Sequence, residues 1–256
     1  MPPVKHLSVS SVGHYMKCAR SWKFCYLDRI PSPSTPDMLF GTAFHNVVEA
    51  YIREDHAPDL PELFRAEWAQ QVEACQEIAW GRRTYEGMMA LGVRMCASPD
   101  IIGALTQMGV ALTATGAPMI EHFFKFDIPG LDVPFLGYID LVHDDGVIGD
   151  LKTSRTCWTP LDARMSLQAP LYMAGLRSTG REVGSFFRHH VFAKDRAGYE
   201  LWETEITEER IAWACEQVRA VWMGVKHGVF PPSTSMAWWC SPSWCAYWDV
   251  CGRAGS

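Results

Sequence analysis

The chain has 256 residues, of which 48% are apolar and 20% are charged, and its formal net charge is −6. The length suits one large domain or two small ones, and the composition is typical of a globular protein. The net charge excludes a bulk attraction to nucleic acid, so such contact would need a local basic patch. Because no run of eighteen apolar residues and no secretion signal are present, we expect a cytosolic protein without membrane contact.

The first 115 residues predict a mainly helical part. Serines that can cap a helix precede an aromatic and basic stretch, and the later stretches carry apolar residues at helical spacing. The loop-forming sequence PSPSTPD separates the first stretch from the second. We expect helices within residues 7–30, 38–55, 61–80 and about 83–110.

From residue 116 the pattern changes to strands. It predicts a mixed α/β fold, in which a small sheet with a crossover helix is followed by a closing helix. A loop-like tail then begins at residue 229. We expect one domain over residues 1–256, made of a helical part (1–115), an α/β core (116–228) and the tail (229–256). The expected strands are 120–128, 133–143, 146–153, 184–193 and 199–204, and the expected helices are 160–176 and 207–226.

Two aspartates in the predicted core suggest a metal site. Asp145-Gly146 is typical of a tight hairpin turn, and a hairpin centred there places Asp140 opposite Asp150. Directly opposed residues have Cβ atoms about 4.5–5.5 Å apart, where like charges repel. A divalent cation such as Mg²⁺ would relieve that repulsion, with Lys152 beside it. The alternative is a surface network of the two acids and the lysine.

The cysteines cluster at the end of the chain. Cys240, Cys245 and Cys251 lie within the last seventeen residues, and a fourth thiolate would complete a site for Zn²⁺ or an iron–sulfur cluster. Cys18 is the obvious distant donor. The alternative is reduced, buried cysteines, which accounts well for Cys75, Cys96 and Cys215 but poorly for the tail.

Four short motifs, in order, resemble the RecB-type branch of the PD-(D/E)XK nuclease superfamily. They are Gly41-x-x-x-His45, Gly137-Tyr138-Ile139-Asp140, Asp150-Leu151-Lys152 and Gln168-x-x-x-Tyr172. The resemblance implies a restriction-endonuclease-like core, His45, Asp140 and Asp150 as Mg²⁺ or Mn²⁺ ligands, and Lys152 as the catalytic lysine. It implies that Gln168 and Tyr172 contact DNA or hold the geometry of the site. Glu121 is a candidate supporting acid, although a solvent-facing strand residue is the simpler interpretation.

The tail resembles the iron–sulfur subset of that branch, which includes AddB nuclease domains and CRISPR-associated exonucleases. Cys245-Ala246-Tyr247-x-x-x-Cys251 fits the pattern C-x-Y-x-x-x-C, whereas Cys240 stands further from Cys245 than is usual. The resemblance implies that Cys18, Cys240, Cys245 and Cys251 hold a [4Fe–4S] cluster that joins the two chain ends. Zn²⁺ is the rival occupant.

Together these motifs predict a metal-dependent DNA exonuclease that acts on single strands, and only the resemblance favours 5′-to-3′ polarity. The alternative is a non-catalytic DNA-end-binding or adaptor subunit of a CRISPR adaptation or recombination complex. The chain lacks G-x-x-x-x-G-K-[ST], so a helicase partner would be another polypeptide. A homo-oligomer is also compatible with the sequence.

Overall fold

The computed structural model describes residues 4–233 and 237–252, so part of the predicted tail (234–236 and 253–256) lies outside the described residues. The helical part begins with two helices that meet at Cys18, whose sulfur accepts a hydrogen bond from the Ser21 N–H at 3.5 Å. Short polar side chains cap several of the helices, as Ser8 and Thr35 do. The helices are α1 (Val9–Lys17), α2 (Ala19–Tyr26), α3 (Pro36–Arg53), α4 (Leu60–Ala74), α5 (Tyr85–Cys96) and α6 (Pro99–Thr106).

A five-stranded sheet forms the core of the described chain, with its strands in sequence order. Neighbouring strands are antiparallel except β3 and β4, which are parallel. A parallel pair needs a crossover connection, and two helices supply it. The strands are β1 (Ile120–Phe126), β2 (Phe135–Val142), β3 (Ile148–Ser154), β4 (Phe186–Ala193) and β5 (Gly198–Glu205), and the later helices are α7 (Pro160–Arg164), α8 (Gln168–Ser178) and α9 (Glu208–Lys226).

The crossover differs from the single helix predicted over residues 160–176. It consists of α7 and α8, and α8 begins at Gln168. Pro170 accounts for the division, because proline lacks an N–H and is tolerated only in the first turn of a helix. Gln168 therefore lies at a helix start, where its side chain is close to the sheet.

Apolar side chains pack on both faces of the sheet. One cluster joins the sheet to α1, α8 and α9, and the other joins it to α3, α4, α5 and α6. No single helix in the described ranges is long and apolar enough to cross a membrane. The bent pair α5 and α6 passes on length and composition together, and it buries Met88, Met95 and Leu105 in the second cluster.

Two glycines make room for Phe124 beneath the sheet. A Cβ atom at Gly137 would lie 2.9 Å from the Phe124 ring, and one at Gly175 would lie 2.2 Å from it. Contacts this short are not compatible with any larger residue at Gly175 unless the ring moves. The Phe124 ring in turn meets the Tyr172 ring edge-on at 5.4 Å between centroids. The glycine of G-x-x-D thus has a packing role that fixes Tyr172.

A chain of buried side chains ties β4 and β5 to the turn after β2. His190 Nδ1 lies 2.8 Å from the Tyr199 hydroxyl, and His190 Nε2 lies 2.9 Å from His143 Nε2. His143 Nδ1 lies 3.0 Å from the Gly109 carbonyl oxygen, which can only accept. The neutral tautomers are therefore fixed, because His143 must carry its proton on Nδ1 and His190 must carry its own on Nε2. Tyr199 then donates to His190.

Candidate active site

The β2–β3 hairpin has the register that the Asp145-Gly146 turn predicts. Leu141 pairs with Gly149 and Val142 with Ile148, and Gly146 adopts a left-handed φ of +83° in the turn. Continued by one step, this register would bring Asp140 opposite Asp150.

The strand pairing ends before the two aspartates meet. Instead of a ladder bond, the Leu151 N–H donates to Asp140 Oδ2 at 2.7 Å. The repulsion between two buried carboxylates opposes closer pairing, and the side chain of Asp140 replaces the missing backbone acceptor. The hairpin therefore opens at the point where its acids lie.

Asp150 is fully buried and contacts three donors. Its Oδ1 accepts from Lys152 Nζ at 2.7 Å and from Gln168 Nε2 at 2.6 Å, while His189 Nδ1 lies 3.5 Å from Oδ2. Burial raises the pKa of the Asp150 carboxyl, but Lys152 and His189 outweigh it and hold the pKa below its ordinary value. Asp150 is thus a carboxylate with a fixed orientation.

Asp140 has the opposite electrostatic balance. Burial and the nearby charge of Asp150 raise the pKa of Asp140 well above its ordinary value, and Lys152 offsets only part of this. Two adjacent buried acids, one of them costly to ionise, fit a divalent cation chemically, since a 2+ charge removes both the repulsion and the desolvation cost. These residues therefore suit a hard metal ion.

His45 reaches the same place from α3. Burial and the Lys152 charge lower the pKa of the His45 imidazole, while Asp150 and a hydrogen bond with the Leu151 backbone act in the other direction. The imidazole is consequently neutral at pH 7, which is the form that ligates metals. Four residues before it, a Cβ at Gly41 would lie 3.5 Å from Thr153 Oγ1, so α3 lies close to β3 at this motif.

Gln168 and Tyr172 lie beneath the acids on α8. Gln168 donates to Asp150, and a hydrogen bond also links it to Tyr172. Burial and the charges of Asp140 and Asp150 raise the pKa of the Tyr172 hydroxyl, so it stays protonated. Of the two roles that the resemblance implies for this pair, these contacts correspond to holding the geometry of the site.

Two further residues at the site were not assigned by the sequence. His189 is in register with Asp150 only because β3 and β4 are parallel, a pairing that has no local sequence signal. Glu121 has a left-handed φ of 50°, and its charge contributes to the raised pKa of Asp140. Burial and the charge of Glu49 raise the pKa of Glu121 in turn. Glu121 is therefore part of the acidic cluster rather than an isolated solvent-facing residue.

The tail folds back on the first two helices. Tyr247 donates to the Ile30 carbonyl and packs on Phe24, with ring centroids 5.6 Å apart. Arg20 donates to the carbonyl of Cys251 at 3.3 Å. The Cys18 sulfur accepts from the N–H groups of Ser21 and Ser233 at 3.5 and 3.3 Å.

The four predicted cysteine ligands come together through this folding. Burial raises the pKa of the Cys245 thiol, and the thiols of Cys18, Cys251 and Cys240 add to the effect. Such mutual influence places all four sulfurs in one neighbourhood. Within residues 4–233 and 237–252, however, no group of three or more His, Cys, Asp or Glu side chains has the spacing of a formed metal site.

Comparison with known proteins supports the same identification. A sequence model of the PD-(D/E)XK nuclease superfamily matches residues 6–252. The gene 69 protein of Mycobacterium phage L5 is 26% identical over 288 aligned positions, covering 95% of this chain and 93% of that protein. The gene 69 protein of Mycobacterium phage D29 is 28% identical over 153 residues, covering 53% of this chain and about half, 56%, of that protein.

A solved structure shares the fold at low sequence identity. The crystal structure of a candidate exonuclease from Eubacterium rectale has a TM-score of 0.52 and 13% identity, and covers 92% of this chain and 87% of that one. The five-stranded sheet flanked by helices fits the core of the matching family. The chain belongs to the PD-(D/E)XK nuclease superfamily.

Proposed function

We propose that this protein is a metal-dependent DNA exonuclease of the RecB-type branch, acting on single strands with 5′-to-3′ polarity. One observation carries the proposal: Asp140 and Asp150 lie side by side where the β2–β3 hairpin opens, with Lys152 bonded to Asp150. A binding protein without turnover has no need to retain two repelling buried acids and a lysine together.

His45, Asp140 and Asp150 are the proposed ligands of Mg²⁺ or Mn²⁺, with Glu121 close by. Such an ion, when bound, supplies Lewis-acid polarisation of a phosphodiester and a lowered pKa for a water molecule. The neutral imidazole of His45 and the oriented carboxylate of Asp150 are in the protonation states that ligation requires.

Lys152 is the proposed catalytic lysine. Its side chain is one-third exposed although Asp150 is fully buried, so the ammonium group bridges the buried acid and the solvent side. From that position it neutralises charge that develops on a phosphate oxygen during attack. Gln168 and Tyr172 keep Asp150 in place, and the buried network excludes alternative positions of its carboxylate.

The tail cysteines are proposed to hold a [4Fe–4S] cluster with a structural role. Cys18, Cys240, Cys245 and Cys251 suit it because their thiols share one neighbourhood and the Cys18 sulfur already accepts two backbone N–H groups. The same four sulfurs suit Zn²⁺, which is the rival occupant. In this proposal residues 1–256 act as one nuclease domain, with any helicase or recombination partner on a separate chain.

The test is degradation of end-labelled linear single strands with Mn²⁺, beside a covalently closed circle. Asp150→Asn is the matched variant because it preserves shape and removes only the charge. We expect the wild type to degrade the linear strand and spare the circle, with strands labelled at the 5′ or 3′ end giving the polarity. Cleavage of the circle would replace the exonuclease with an endonuclease. Equal activity of Asp150→Asn would contradict the site, and an inactive wild type that binds DNA ends would favour the adaptor.

A further inference from the structure

Two aromatic side chains are exposed on the open edge of the sheet. Phe123 of β1 and Tyr138 of β2 are directly paired across the strands, with ring centroids 5.3 Å apart. They expose 48% and 51% of their surface, unlike most large apolar residues of the sheet, which are buried. Neither belongs to the two apolar clusters of the core. Their rings therefore have faces available for a partner.

The pair lies directly beside the candidate active site. Tyr138 is two residues before Asp140, and Phe123 is two residues after Glu121. Two residues of a strand span about 6.5 Å, so the rings lie one strand step from the acids. The aromatic surface is continuous with the site at which a phosphodiester would be cleaved.

Positive charge flanks the pair on β1. Lys125 is exposed two residues beyond Phe123, and Arg53 of α3 donates to the Ile120 carbonyl on the other side. Along β1 a cation, an aromatic pair and an acidic cluster therefore follow one another. Aromatic faces interleaved with basic groups are typical of sites that bind single-stranded nucleic acid, because every base has a π-face.

We propose that Phe123 and Tyr138 form a stacking subsite for one unpaired nucleobase of the DNA strand, next to the scissile phosphate. Lys125 contacts the adjoining backbone phosphate. The subsite rests on the proposed function and adds to it a reason for preferring single strands, since a base held in a duplex has no free face to offer. It reads no sequence, because stacking is tolerant of the base.

The exposed rings are also compatible with two different roles, and each leads to its own prediction. A cross-strand aromatic pair stabilises a strand edge, and this role would affect unfolding but not the binding of DNA. In the second case the strand is held elsewhere, by the exposed tryptophans Trp238 and Trp244, whose ring centroids are 5.1 Å apart near the cysteine tail. Variants of each group separate these possibilities.

The experiment compares Phe123→Ala, Tyr138→Ala and the double variant with Phe186→Ala, which truncates a comparably exposed phenylalanine on β4. Trp238→Ala/Trp244→Ala is the second comparison. Each protein is assayed for KM and kcat on a linear single strand and for its urea midpoint. Binding of a fluorescein-labelled single strand is measured by anisotropy in a Lys152→Ala background. A second substrate carries one abasic residue at successive positions from the labelled end.

We expect KM and the anisotropy Kd of the double variant to rise about 10-fold or more, with kcat and the urea midpoint nearly unchanged. An abasic residue at one position should slow the wild type and leave the double variant unaffected, because both changes remove the same contact. Phe186→Ala should match the wild type.

Unchanged KM and Kd in the double variant, or an equal loss in Phe186→Ala, would overturn the subsite and leave the proposed nuclease standing. A loss in the tryptophan variant alone would also overturn it. If the wild type cleaves no strand, the proposed function fails, and the anisotropy series still decides whether the aromatic pair binds single strands.

Discussion

The acidic site and the cysteine tail are organised in different ways. At the acidic site the protein itself holds the key side chains, because Asp150 accepts from Lys152 and Gln168 on regular elements. The tail, residues 237–252, consists of turns and is attached by a few contacts, among them those of Tyr247 and Arg20. A site built on a sheet is preorganised before any ion binds, whereas a site built on turns depends on what its thiols bind. Metal removal should therefore affect activity at the first and structure at the second.

The largest effect should follow loss of Lys152. Lys152→Ala removes the ammonium group beside Asp150, and we expect kcat to fall about 10³-fold or more, since charge stabilisation in the transition state is lost. Iron content and thermal midpoint should stay close to those of the wild type. Lys194→Ala, which breaks a lysine–Asp37 pair away from the acids, is the control. A similar kcat for both variants would contradict the assigned role.

The tail should respond in the opposite sense. Cys251→Ser removes one proposed cluster ligand, and we expect loss of bound iron and of visible absorbance, with a thermal midpoint lower by several degrees. Cys215→Ser, on α9, should retain both. Metal analysis that finds zinc in the wild type would assign the tail to Zn²⁺, and an unchanged metal content in Cys251→Ser would remove that cysteine from the site.

A smaller effect at the acidic site should come from His189. This residue orients Asp150 without contacting substrate, and loss of such a partner lowers metal affinity about 10- to 100-fold. His189→Leu should raise the Mn²⁺ concentration needed for half-maximal thermal stabilisation, whereas His189→Asn, which keeps a donor near the Nδ1 position, should largely rescue it. His190→Asn alters the neighbouring histidine, which contacts His143 and Tyr199 instead. Equal Mn²⁺ responses in all three would show that His189 only fills space.

The smallest effect should be a gain in stability. The pKa of Asp140 is raised in the folded protein, so its stabilising contribution is present at acidic pH and lost as pH rises through the folded pKa. Asp140→Asn has no such loss, and we expect its metal-free form to exceed the wild type by about 1 kcal/mol at pH 7. Urea unfolding at pH 7 and at pH 4 measures this difference, which should shrink at pH 4. Added Mn²⁺ should reverse the order at pH 7. A less stable asparagine variant at pH 7 would contradict the electrostatic balance.

The sequence predicts those parts of the fold that depend on local chemistry. The Asp145-Gly146 turn sets the β2–β3 register, and alternating or helical spacing locates most elements to within a few residues. The division of the crossover at residues 165–167 was missed, although Pro170 carried the signal. His189 was not accessible, because only the parallel register of distant strands brings it to Asp150. The left-handed Glu121 is also a consequence of tertiary packing, since glutamate has no intrinsic preference for that conformation.

The chain from Tyr199 through His190 and His143 to Gly109 gives the sheet a sensitivity to acid. Burial lowers the pKa of His190 to about 3, and the His143 charge contributes. Between pH 6.5 and 3 the unfolded chain therefore binds a proton that the folded chain rejects. The free energy of unfolding should fall across this window by about 1.4 kcal/mol per pH unit, and by less in His190→Leu. Because every ring nitrogen in the chain is already committed as donor or acceptor, an added proton must break a bond. On acidification, this side of the sheet would open before the carboxylates lose their charge.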